Sequence, residues 1–80
     1  MEDNKARLAA KLLETTPYIE MTEEQEELVV EYETEKLKPK VDELKAIMTK
    51  DRIIEEIHEW WLGFEIADGT EKNLIRYLAE

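Results

Sequence analysis

The sequence predicts an all-α fold, a small helical bundle of four to five helices in which residues 1–80 form a single helical domain. Three observations carry this. Glycine and proline are scarce, two of each, which leaves too few turn signals for a β-rich fold. Apolar residues recur at spacings of three and four, the period of a helix face. Hydrophobic residues make up 42% of the chain and charged residues 40%, the balance of helices with one apolar stripe and one salted face.

The first helix is expected from about Asp3 to Thr15, where Leu8, Ala9, Leu12 and Leu13 cluster on one side and Lys5, Arg7, Lys11 and Glu14 lie outside. Thr16-Pro17 ends it, because a residue before proline is pushed out of the helical region. Tyr18 and Ile19 read as a short apolar linker tucked onto the core. Met21-Thr22-Glu23-Glu24-Gln25 is the strongest local signal: Thr22 suits an N-cap, Gln25 stands three residues on, as a capping box requires, and Glu23 and Glu24 meet the positive end of the helix dipole.

That second helix runs to about Leu37. Pro39 removes one backbone hydrogen bond and crowds the preceding turn. The expectation is a break near Pro39, with two helical pieces meeting near Lys38-Pro39 and proline in the first turn of the second; the alternative is one long helix kinked at Pro39. The next helix should cover Arg52 to about Leu62, capped by Thr49 or Asp51. Ile53, Ile57, Trp60, Trp61 and Phe64 would form its apolar face, and Gly63 would end it. Asp68-Gly69 reads as a turn, with Thr70 capping a last short helix that carries Leu74, Ile75 and Leu78; the alternative is a hairpin around Asp68-Gly69, against which those three residues repeat with a helical period.

Composition removes several functions. The chain has no cysteine, which excludes disulfides, thiolate catalysis and cysteine metal clusters and fits a reducing cytosol. No apolar run approaches membrane-spanning length, and Met1 to Lys5 lack the basic-then-apolar order of a signal peptide. A cytoplasmic location without a membrane partner is expected. There is no serine and one histidine, so a serine triad is impossible.

Net charge is −10, which repels nucleic acid and anionic membranes and attracts basic protein surfaces; the same charge also serves solubility. The charge is segregated. Glu20 to Glu35 holds eight acidic residues and no basic one, whereas Lys36 to Arg52 holds six basic and three acidic residues.

Two patterns point toward metal chemistry. Glu55 and His58 form one Glu-x-x-His pair, the spacing of di-iron carboxylate bundles, which need two such pairs and further inward glutamates; the other reading leaves His58 solvated on the polar face. Glu23-Glu24-Gln25-Glu26-Glu27 and Glu55-Glu56-Ile57-His58-Glu59, with Glu65 and Asp68, resemble the magnesium-binding pattern of all-α nucleotide pyrophosphohydrolases of the MazG type. The resemblance implies a metal-dependent hydrolase, but the pattern departs in spacing: Glu65 falls too soon after Glu59 and too late after Glu27. No family is assigned, and neither catalysis nor a cofactor or metal is expected.

The functional expectation is a small acidic protein-binding module or inhibitor, docking on a basic surface of a target protein, a nucleic-acid-binding surface included, as anti-defence and anti-restriction proteins of phage do. Its acidic face would be Glu23, Glu24, Glu27, Glu31 and Glu35; the run from Glu24 through Glu27 and Glu31 to Glu35 stays on one side of a helix. Trp60 would be the apolar anchor, against the reading that both tryptophans cap the core with wet ring nitrogens. The alternative is a self-associating helical module, a homodimer included, because Leu28, Val29, Val30 and Tyr32 cannot all face inward.

Overall fold

The computed structural model describes residues 2–80; Met1 of the expected domain lies outside them. Four α-helices follow one another, α1 (Asp3–Thr15), α2 (Glu23–Lys45), α3 (Lys50–Leu62) and α4 (Asp68–Ala79), with a single 3-10 turn at Tyr18–Glu20 between α1 and α2. The described residues contain no strand.

The start of α2 is set locally. Gln25 N–H donates to Thr22 Oγ1 at 3.2 Å and Thr22 N–H donates to Gln25 Oε1 at 3.0 Å, so each residue satisfies an orphan donor of the other. The helix then runs unbroken to Lys45 with Pro39 inside it, which corrects the expected two pieces. Proline inside a helix costs about 3 kcal/mol. Here Val29, Glu33 and Thr34 before it and Val41 and Leu44 after it are all buried, so packing holds the two halves in one register while Pro39 stays on the exposed side.

Thr49 rather than Asp51 caps α3, accepting from Arg52 N–H at 3.4 Å. The end of α3 departs from expectation. Gly63 has φ −84°, and the left-handed residue is Phe64, with φ 59°. Phe64 N–H donates to Trp61 O at 3.1 Å and Glu65 N–H to Trp60 O at 2.9 Å, the paired bonds of a Schellman ending. That ending wants glycine one position later than the sequence supplies it, and a side chain there costs about 1–2 kcal/mol.

The last helix begins two residues before the expected cap. Ala67 is the N-cap and offers no side-chain acceptor; Asp68 and Gly69 belong to the first turn. A methyl group at Gly69 would stand 3.0 Å from Val30 Cγ2, so glycine permits α4 to lie close on α2.

The core is built by the C-terminal half of α2 with α3, Ile66 and α4: Val41, Leu44, Ile53, Ile57, Ile66, Leu74 and Leu78. The helix α1 packs on α2 and contributes Ala9 as its one buried residue, while Leu8 remains 53% exposed.

Candidate functional site

A buried carboxylate organises the middle of the molecule. Glu33 is 5% exposed. Its Oε1 accepts from the Ala67 amide at 3.0 Å and the Thr70 hydroxyl at 2.8 Å, and its Oε2 accepts from the Tyr18 hydroxyl at 2.6 Å. Glu33 thus holds the amide of the N-cap residue itself, and its charge lies at the positive end of the α4 dipole. Thr70 is fully buried and donates to Glu33, which corrects its expected role as the cap. Every buried side-chain polar atom among the described residues has a partner. Burial first, then the hydrogen bond to Glu33 and its charge, push the Tyr18 phenol well above its ordinary range, because the phenolate would be desolvated beside a carboxylate.

Anchoring α4 on α2 in this way leaves an open groove between them, with a volume of about 510 Å³. Glu23, Glu26, Glu27, Glu31 and Glu35 line it from α2, Asn73 from α4, and Val30 and Thr34 lie between. Asn73 Nδ2 donates to Thr34 Oγ1 at 3.3 Å, and Thr34 Oγ1 donates to the Val30 carbonyl at 2.7 Å, so the groove's polar floor is self-satisfied. Lys38 lines the far end, its ammonium 5.2 Å from the centre of the Tyr77 ring. Four of the five acidic residues singled out from the sequence therefore share this groove. Glu24 is exposed but does not line it; Glu26 does, although it stands outside the run from Glu24 through Glu27 and Glu31 to Glu35.

The carboxylates raise the energy of the free helix. Glu23, Glu27, Glu31 and Glu35 make three successive like-charged pairs at i,i+4, each destabilising by about 0.2–0.5 kcal/mol. The helix dipole offsets this only in the first turn. Ionised carboxylates only accept hydrogen bonds, so the groove suits lysine and arginine side chains.

Beside the groove lies an apolar surface. Ile19 is 93% exposed and Phe64 82% exposed, which corrects both the expected tucking of Ile19 onto the core and the expected place of Phe64 on the buried face of α3. Two hollows, of about 390 and 310 Å³, share Tyr18, Ile19 and Phe64; Leu13 lines the first, Trp61 and Leu62 the second. Trp60 and Trp61 are both half-buried and packed against the core. Trp60, the anchor candidate from sequence, lines neither hollow, whereas Trp61 does. Ile19 and Phe64 carry no mark of a surface residue in the sequence, being apolar like the core.

The residues of the metal-like patterns are dispersed. Glu55 Oε2 receives Arg52 at 3.3 Å, and His58 Nδ1 stands 2.7 Å from Glu71 Oε2, so His58 is paired across to α4 rather than solvated alone. Among the described residues no three histidine, aspartate or glutamate side chains gather as a metal site, and no helix is long and apolar enough to cross a membrane.

Compared with known proteins, the chain matches no protein family, no curated protein and no solved structure.

Proposed function

We propose that this protein is a binding module whose α2–α4 groove receives a basic surface of another protein, one that otherwise contacts nucleic acid, and so acts as an inhibitor of that contact. The observation that carries the reading is the convergence of five carboxylates, from Glu23 to Glu35, on a single open groove with one lysine at its end. A solubilising surface needs only dispersed charge; here like charges are stacked at i,i+4 at a cost to the helix, and a cationic partner relieves that cost. Charge complementarity of this kind speeds encounter and selects the partner.

The test is capture from the source cell's lysate with the protein and with a variant carrying Glu23→Gln, Glu27→Gln, Glu31→Gln and Glu35→Gln. A nucleic-acid-binding protein retained at about 0.1 M salt, released at about 0.5 M, displaced by duplex DNA and missed by the variant is the expected result. Capture indifferent to salt, to DNA and to the four substitutions would refute the reading.

The exposed Ile19 and Phe64 favour a second reading, self-association through the apolar surface. A net charge of −10 on each copy opposes it.

A further inference from the structure

Resting on that reading, we infer that the Ile19–Phe64 surface is the apolar half of the same binding site, and that the partner element is an amphipathic segment whose basic residues lie along the α2 groove and whose apolar side chains seat beside Phe64.

Three observations lead there. The first is continuity. Glu26 lines both the acidic groove and the second apolar hollow. Across from it, Asp68 lines the hollow and its neighbour Gly69 lines the groove. The two features are one surface that wraps the N-terminus of α4.

The second is charge. Neither apolar hollow is lined by a lysine or an arginine, and the second is edged by Glu26 and Asp68; on the far side of Phe64, toward α2, Lys36 is outnumbered by Glu33 and Glu65. An apolar surface with an acidic border selects an apolar side chain carried among basic ones. A second copy of this chain would bring acidic border against acidic border.

The third is the backbone at Phe64. Its φ of 59° is a conformation that glycine adopts freely and a bulky residue resists. Phe64 gains little packing in return, being 82% exposed. A strained, exposed aromatic held in place by two backbone hydrogen bonds is a pre-positioned contact. Because the conformation suits glycine, Phe64→Gly removes the aromatic ring without disturbing the α3 ending.

The experiment measures binding of three synthetic peptides by Trp fluorescence and by amide chemical shifts. One is a helix-forming peptide with lysine and arginine on one face and leucine and phenylalanine on the other. The second replaces its apolar residues with serine; the third replaces its basic residues with glutamate. The basic amphipathic peptide should bind at least ~10-fold more tightly than the serine peptide, and shifts should spread from Glu27 and Glu31 to Ile19, Trp61 and Phe64. Phe64→Gly and Ile19→Ser should each remove that advantage and leave the serine peptide's affinity unchanged. Equal binding of the two basic peptides, unaltered by Phe64→Gly, overturns the apolar half and leaves the acidic groove standing. Binding of neither basic peptide overturns the functional reading itself. Equal binding of the glutamate peptide, or a dimer of this protein abolished by Phe64→Gly, overturns the assignment of a basic partner to the apolar surface.

Discussion

The Tyr18 hydroxyl donates to Glu33 Oε2 at 2.6 Å. Through this bond the 3-10 turn is tied to α2 by the carboxylate whose other oxygen accepts from Ala67 and Thr70 at the head of α4. Three segments far apart in sequence meet at one side chain, and the surface on either side depends on that junction. The acidic groove follows from the α2–α4 spacing, and the apolar hollows from where Tyr18 sets Ile19.

Glu33→Ala should therefore be among the most damaging single substitutions. It strands the Ala67 amide and the Thr70 and Tyr18 hydroxyls without their acceptor. Each buried donor left without its acceptor costs about 1–3 kcal/mol, so together they take a large part of the stability of a domain this small. Chemical denaturation should show the loss, with Glu33→Gln, which keeps one oxygen, falling less far.

Alkaline pH should loosen the same junction. Burial and the Glu33 carboxylate raise the Tyr18 pKa in the folded state, so the stabilisation is fully present below the unfolded value near 10 and declines as pH rises above it. Tyr77 shifts the same way, through its hydrogen bond to Asp42, but that bond is exposed, where salt screens the effect. Unfolding followed from about pH 8 to 11 should show stability falling above about pH 10. Tyr18→Phe should be less stable at neutral pH by about 1 kcal/mol, from the lost bond, and flatter above pH 10.

The α3 ending gives a prediction of opposite sign. Phe64→Gly should raise stability by about 0.5–1 kcal/mol, because relief of the left-handed strain outweighs the extra freedom of glycine in the unfolded chain. Gly63→Ala should be neutral or stabilising by up to about 1 kcal/mol, since a methyl group there meets only ordinary contacts, the nearest at 3.4 Å. Thermal melts of the two variants check both; destabilisation by Phe64→Gly would show that the ring contributes to the fold.

The acidic groove should also be measurable as strain in the free protein. Glu27→Gln with Glu31→Gln removes all three like-charged i,i+4 pairs. Stability should rise by about 0.5–1.5 kcal/mol, with the gain shrinking as salt is added.

Much of the fold was legible because it is local. The α1 stripe, the Thr22–Gln25 box and the Thr49 cap depend on residues within one or two turns. What the sequence concealed is tertiary. Pro39 stays within α2 because buried residues on both sides outweigh its local cost. Thr70 carries the composition of a cap, yet it lies inside the first turn and donates to Glu33, thirty-seven residues away. Ile19 and Phe64 read as core because they are apolar, and nothing in a single sequence says which apolar residues stay outside. The groove was half legible: helical spacing put Glu23, Glu27, Glu31 and Glu35 within reach of one side, but only the position of α4 decided that Glu26 joins them and Glu24 does not.

The most direct test is the salt dependence of affinity for the captured partner, measured for the protein and for the variant with Glu23, Glu27, Glu31 and Glu35 all changed to glutamine. Binding that falls steeply as salt rises from about 0.1 to 0.5 M, with a weaker and flatter dependence in the variant, is the expected result. The same affinity and the same slope for both proteins would contradict it, and would leave the acidic groove a matter of solubility.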